Sequence, residues 1–217
     1  MSLARRRRTM PGLTAAAALL ALTGCTGSLF KSKEPLRSVY LLSIAPVPAA
    51  AAVDISGDIT ILAPHVRPGL DTPRIAALYS DRRLDHFDGA RWSGPLAEVV
   101  QDLAVQAFRA DARVHSVHGD ISAFGSGYWL EIDVEDFQAE YAAAQSAAAP
   151  GPPTIHVRLV ARLGTSSDRR LLGQFQADVR EPAVDNRLGA IVDAYNRAAA
   201  AALGQIVADT GQALHAS

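Results

Sequence analysis

Hydrophobic and polar residues alternate along two stretches in the second half of the chain, residues 128–141 and 154–163. Alternation with a period of two is typical of β-strands that bury one face. In the first stretch the phase slips by one residue at Glu135-Asp136, which predicts a β-bulge at that point. The Ala- and Pro-rich segment 142–153 is typical of a long hairpin loop. Pairing of the two strands would place the arginines of the second opposite the acidic row of the first.

Shorter apolar runs predict the remaining strands. Two of these runs flank a Ser-Asp-Arg turn at 80–82, an arrangement typical of a β-hairpin. A Pro- and Gly-rich bend at 65–73 precedes that hairpin. The runs are residues 40–44, 59–62, 74–79, 83–87 and 171–179.

Apolar residues recur every three or four positions over residues 95–108 and again over 187–212. This spacing predicts two helices with one buried face each. Ser93 or Gly94 is the expected cap of the first helix, and Pro95 suits its first turn. The buried stripe of the second helix is rich in alanine, which favours close approach to a sheet. The elements together predict a single α/β domain, with a mixed, largely antiparallel sheet covered by two main helices.

The first 24 residues have the composition of an export signal. Four arginines at 5–8 precede an Ala- and Leu-rich stretch at 13–22, and small residues follow. This order is typical of a secretory signal peptide. The apolar stretch is shorter than the roughly 20 residues that a membrane-spanning helix needs.

The signal ends at Cys25, which is the only cysteine in the chain. The sequence LTGC at 22–25 resembles a bacterial lipobox, in which the cysteine sulfur receives a diacylglycerol and cleavage makes that cysteine the first residue. We therefore expect residues 1–24 to be a lipoprotein signal peptide, 25–38 a lipidated tether and 39–217 the folded domain. A lipid with two or more acyl chains, palmitate among them, would hold the protein stably on a membrane.

Thr26 stands at the position where an aspartate would indicate retention at the inner membrane. By analogy with lipoprotein sorting, it favours the outer membrane, with the domain on the periplasmic face. Residues 1–24 contain four of the 21 Lys+Arg and none of the 22 Asp+Glu, which leaves 17 against 22 and a net charge of −5. An acidic body of this kind gives no indication of nucleic-acid binding.

Candidate catalytic chemistry is sparse. The six histidines are scattered, and the sequence contains neither a metal-binding His or Cys motif nor a phosphate-binding glycine loop. The acidic row Glu131, Asp133 and Glu135 is better explained as a solvated strand face than as a pair of catalytic carboxylates. A hydrolase would require a nucleophile–base pair, and none is recognisable in the sequence. We expect no enzymatic activity, no metal and no cofactor other than the covalent lipid on Cys25.

Two segments carry a recognisable motif: LAPHVRPGLDTPRIA at 62–76 and ARWSGPL at 90–96. Together they resemble the ABC-type transport auxiliary lipoprotein family, of which the paraquat-inducible protein C type is one member. That family shows a strand ending in proline, a leucine-aspartate-x-proline-x-isoleucine stretch, and a tryptophan shortly before proline-leucine at the start of a helix. The matching residues are Pro64, Leu70, Asp71, Pro73, Ile75, Trp92, Pro95 and Leu96.

The resemblance implies a role in an intermembrane lipid-transport machine. An inner-membrane ABC transporter or permease would work with an MCE-domain protein, and this lipoprotein would be its docking component at the outer membrane. Under this hypothesis Asp71 and Arg74 are the candidate partner contacts. Asp71 capping the turn through its own backbone is the structural alternative. Packing of the motif is expected from Pro64, Pro73, Trp92 and Pro95.

A second hypothesis is a periplasmic lipoprotein that itself binds and carries a lipid or another apolar ligand. Its site would be a groove between the sheet and the helix at 187–212. The oligomeric state stays open in the sequence, and a homo-oligomer is one possibility.

Overall fold

The computed structural model describes residues 38–44, 55–111, 114–119, 126–142 and 151–216, with the backbone alone at 55–57 and 114–115. Residues 37–217 form one compact unit. The predicted signal peptide, Cys25 and nearly all of the predicted tether lie outside the described residues.

Nine strands and two helices are formed within the described residues. The strands are β1 (Ser38–Tyr40), β2 (Ile55–Ile61), β3 (His65–Val66), β4 (Arg74–Tyr79), β5 (Leu84–Trp92), β6 (Val114–Gly119), β7 (Tyr128–Tyr141), β8 (Thr154–Thr165) and β9 (Leu171–Pro182). The helices are α1 (Leu96–Ala110) and α2 (Leu188–His215).

One long strand, β7, organises the sheet. Along one edge it pairs in parallel with three successive segments of the chain, β2, β3 and β4. Its other edge pairs antiparallel with β8 over most of its length, and β8 pairs antiparallel with β9. The sheet extends further through β6 beside β2, and through β5 and β1 beyond β4. The sheet is therefore mixed, and its longest pairings are antiparallel, as predicted.

The predicted bulge and the predicted charge pairing are both confirmed. The register of β7 against β8 shifts between Val134 and Asp136, where the alternation slips. Across the same ladder, Arg162 lies opposite Glu131, and its guanidinium is 3.0 Å from that carboxylate and 2.8 Å from Asp133. Local pattern was sufficient here because the two strands follow one another in the chain.

Both helices cover the same face of the sheet, and the core lies between them and that face. Trp92 lies edge-on to Tyr195 and Phe137, with ring centroids 5.2 and 6.3 Å away. The Tyr195 hydroxyl donates a hydrogen bond of 2.7 Å to the carbonyl of Ala76. Four alanines of α2 are 0–2% exposed, so the helix backbone approaches the sheet closely: Ala194, Ala198, Ala199 and Ala202.

The α/β class, the hairpin of β4 and β5, and both helices are confirmed, whereas some strand bounds differ from the prediction. The first strand is Ser38–Tyr40 and not 40–44, because the amides of Ser43 and Ile44 donate to side chains of the two helices. Strand β5 continues to Trp92, since Gly89 at φ 67° accommodates an irregularity within the strand. The short strand β3 lies within the predicted bend.

Candidate partner-binding site

The bend between β3 and β4 is built on a tight turn. The Leu70 amide donates to the Arg67 carbonyl at 3.1 Å, with Pro68 and Gly69 between them. Gly69 has φ 94°, a value that suits glycine at the third position of a type II turn, just as proline suits the second. Buried Pro64 and buried Leu70 fix the two ends of this segment against the domain.

Asp71 connects the bend to the first turn of α1. Its Oδ1 accepts a hydrogen bond of 3.2 Å from the backbone N–H of Ala97, the second residue of α1. The residue preceding the helix is Pro95, which provides no side-chain cap of its own. The prediction that Ser93 or Gly94 caps α1 is therefore wrong, because the acceptor comes from a bend 26 residues earlier in the chain. An acidic side chain at a helix N-terminus is also favoured by the helix dipole.

The end of the bend is attached to the strand that carries Trp92. The Trp92 amide donates to the Pro73 carbonyl at 2.7 Å, and the amide of Arg74 donates to Oγ1 of Thr72 at 3.1 Å. Because the Trp92 ring is 2% exposed and packed in the core, this backbone bond fixes the position of the bend. The guanidinium of Arg74 follows directly and is exposed.

Arg74 lies opposite Arg91 of β5 in the antiparallel register. Both are exposed, and within the described residues neither side chain has a carboxylate or other hydrogen-bonding partner. On the same face of β5, His86 lies opposite Ala76 of β4. Its Nε2 is buried and has no hydrogen-bond partner among the described residues. Burial lowers the pKa of His86 below 6.5 and Arg74 lowers it further, while Asp85 opposes this shift. The positive charge of this surface thus comes from the two arginines.

Elsewhere on the outer face, the side of the sheet opposite the helices, arginines are paired with carboxylates. Arg67 lies 3.1 Å from Asp136, and Arg158 lies 2.9 Å from Glu135. Besides Arg74 and Arg91, three described arginines have no carboxylate partner. They lie at turns or on α1: Arg82, Arg109 and Arg169.

His156 is the centre of a polar cluster on the outer face and is 5% exposed. Its Nδ1 lies 2.9 Å from a Glu140 oxygen, and its Nε2 lies 2.9 Å from an Asp178 oxygen. Burial raises the pKa of Glu140, but hydrogen bonds from Arg180, His156 and Gln138 outweigh it and hold that pKa below 4.5. The cluster satisfies its own polar groups.

The sequence missed one nucleophile–base contact. On β6, Oγ of Ser116 lies 2.6 Å from Nε2 of His118, because residues two apart on a strand share a face. A catalytic serine also requires a third group that orients the histidine. Within the described ranges Nδ1 of His118 has no hydrogen-bond partner.

The described residues contain no group of three or more His, Cys, Asp or Glu side chains arranged to hold a metal ion. None of their helices is both long and apolar enough to cross a membrane.

Comparison with solved structures finds the same fold elsewhere. The crystal structure of protein XCC0632 from Xanthomonas campestris is similar with a TM-score of 0.73 at 26% identity, covering 82% of this chain and 97% of that chain. An uncharacterised protein is similar at 0.57 and 13% identity, covering 82% and 98%. The hypothetical protein CT253 from Chlamydia trachomatis is similar at 0.52 and 8% identity, covering 74% and 99%, so these last two share the fold alone. The comparison with curated proteins found no match.

A family model described as the ABC-type transport auxiliary lipoprotein component matches residues 40–207. The match includes the bend, the strand that carries Trp92, and α1, which are the segments that carry the motif of the sequence analysis. It begins in β1 and ends in the last turns of α2. The chain therefore belongs to the ABC-type transport auxiliary lipoprotein component family.

Proposed function

We propose that this protein is the outer-membrane docking lipoprotein of an intermembrane lipid-transport system. In this system an inner-membrane ABC transporter or permease works with an MCE-domain protein, to which the domain binds. The lipid on Cys25 anchors the chain, and the tether holds the domain near the bilayer on the periplasmic side. The family membership supports a transport role, and the motif supports this class of partner.

The observation that carries the docking proposal is the exposed guanidinium of Arg74, which has no partner among the described residues and follows a bend fixed at both ends. Leu70 is buried before Arg74, and the Pro73–Trp92 backbone bond fixes the chain directly before it. Binding residues are often found on loops that a rigid scaffold positions. Asp71 makes its principal contact with α1, so we assign the direct contact to Arg74 and give Asp71 the role of holding the bend in place.

The packing of α2 supports docking over lipid carriage by this domain. A carrier would need an apolar cavity of several hundred cubic ångströms between the sheet and the helix. The alanines of α2 instead contact the core closely, with Ala194, Ala198 and Ala202 at 0% exposure.

The experiment is co-purification of the full lipidated chain with its MCE-domain partner in mild detergent. Arg74→Glu should fold normally, because surface substitutions usually change stability by less than about 0.5 kcal/mol. It should weaken the complex, with a larger effect at low salt, where charges are least screened. Arg82→Glu is the matched control, since Arg82 is also exposed and unpaired within the described chain but lies at the tip of the hairpin.

Absence of any complex with the wild-type chain would overturn the proposed function. If the wild-type chain forms the complex and the Arg74→Glu variant forms it equally well, Arg74 lies outside the contact surface.

A further inference from the structure

We propose that the docking face extends from the bend to the edge of the sheet, and that it binds a protein segment that presents carboxylates beside aliphatic side chains. The face consists of Val39, Leu41, Arg74 and Arg91, which we call the edge patch. This inference rests on the proposed function and specifies the chemistry of the partner at the same site.

The register places the patch in one row across three strands. Val39 of β1 lies opposite Arg91 of β5, and Arg91 lies opposite Arg74 of β4. Residues directly opposite each other in a sheet share a face. Trp92 follows Arg91 in the strand and points into the core, so Val39, Arg91 and Arg74 all point outward.

The alternation of β1 continues past the strand and adds Leu41 to the row. Tyr40 packs against the core and Leu42 is 8% exposed, whereas Val39 is 50% and Leu41 74% exposed. The outward positions of this segment are thus aliphatic, although exposure alone would favour polar residues there. Two exposed aliphatic side chains beside two arginines match the composition of a binding surface, in which apolar groups and arginine occur together.

The charges of the patch indicate an anionic occupant. Like charges directly opposite each other destabilise a sheet. On β7 and β8 each cross-strand arginine has a carboxylate beside it, as Arg162 has Glu131, but the described chain provides no carboxylate to Arg74 or Arg91. Residues 38–217 contain 14 arginines and no lysine. The guanidinium group is planar and binds carboxylates through two parallel hydrogen bonds, so a pair of them fits an acidic segment well.

The overall charge favours a protein segment over the bilayer as the occupant. Residues 38–217 contain 21 Asp+Glu against those 14 arginines, a net charge of −7. A bilayer with anionic headgroups would face this whole domain and repel it, since surface potentials act over about a Debye length. A protein segment contacts the patch alone, so its carboxylates interact with Arg74 and Arg91 and meet little of the remaining acidic surface.

The first test measures the affinity of the full lipidated chain for its MCE-domain partner. Arg91→Glu and Leu41→Ser should each weaken binding by roughly five- to tenfold. Arg91→Gln, which removes the charge without reversing it, should give a smaller loss. The controls are Arg169→Glu and Val184→Ser. Arg169 lies at a tight turn and has no carboxylate partner in the described part of the chain, and Val184 is an apolar residue elsewhere that is 81% exposed. Both controls should bind as the wild type does.

The second test identifies the occupant. Once the sulfur of Cys25 carries lipid, Leu41→Cys introduces a unique thiol, to which a photo-crosslinker can be attached in membrane-bound protein. Mass spectrometry should find the crosslink in a partner segment that contains Asp or Glu next to aliphatic residues. Val184→Cys carrying the same crosslinker should not reach that segment.

Each outcome bears on one proposal. If the wild-type chain binds its partner and the Arg91 and Leu41 variants bind equally well, the edge patch is overturned and the proposed function stands. Crosslinks from Leu41→Cys that reach phospholipid and no protein would overturn it as well and assign this face to the bilayer. If the wild type binds no MCE-domain protein, the proposed function itself fails.

Discussion

Asp71 and Ala97 are joined by a hydrogen bond from the helix backbone to the aspartate carboxylate, at 3.2 Å. The bond connects the motif's leucine-aspartate-x-proline stretch to its second half, the helix that starts after Trp92. The two halves of the family motif thus form one structural unit. The aspartate satisfies one of the N–H groups that the first turn of α1 leaves without an intrahelical acceptor.

We predict that Asp71→Ala lowers the free energy of unfolding by about 1 kcal/mol, because loss of an N-terminal cap typically costs about 0.5–2 kcal/mol. Asp71→Asn should cost less, since its amide oxygen still accepts the bond from Ala97. Urea denaturation followed by circular dichroism measures both values. Equal stability of the alanine variant and the wild type would contradict the cap.

What the sequence predicted was local, and what it missed was long-range. Alternation within two consecutive strands was enough to predict the bulge near Asp136 and the pairing of Arg162 with Glu131. The cap from Asp71 could not be predicted, because residues 71 and 97 are 26 positions apart and the hairpin between them brings them together. The position of Arg91 beside Val39 and Arg74 could not be predicted either, since it depends on the register of three strands.

Gly164 of β8 is required by its neighbour Trp129. A Cβ at this position would lie closer than 3.0 Å to the indole ring and to the carbonyl of Arg170. We predict that Gly164→Ala lowers stability by about 1–3 kcal/mol, the usual range for overpacking. In Gly204→Ala the new methyl group lies on the exposed side of α2, and beyond the adjoining helix backbone no atom of the described chain is within 4 Å of it. Stability should therefore rise by roughly 0.5–1 kcal/mol. Thermal unfolding of the two variants side by side would reveal the opposite signs.

His86 should contribute to acid sensitivity. Because the pKa of His86 in the folded protein is below 6.5, the unfolded chain takes up this proton first, and stability is lost as the pH falls through 6.5 toward the folded value. His86→Gln should therefore lose less stability than the wild type between pH 7 and pH 5. His65→Gln, which changes an exposed histidine that pairs with Glu131, is the control. Identical slopes for His86→Gln and the wild type in a plot of unfolding free energy against pH would contradict this prediction.

Cys25 remains the predicted site of lipid attachment. Cys25→Ala should block lipidation and cleavage after Gly24, so the precursor should accumulate and the mature form should disappear from the membrane fraction. Metabolic labelling with palmitate and fractionation measure both effects. A variant that is still cleaved after Gly24 and still recovered with the membrane would show that the anchor lies elsewhere.

The parallel pairing of β7 with β2, β3 and β4 has a consequence for when the sheet can be completed. Each of these earlier strands meets its β7 partner only after roughly sixty to seventy further residues have been made, and such distant pairings form slowly. While only the first half of the chain has been made, β4 can already pair with β5 in the hairpin, but β2, β3 and β4 all still lack β7. If the chain is exported as its predicted signal peptide implies, the sheet would be completed only after β7 has also crossed the membrane.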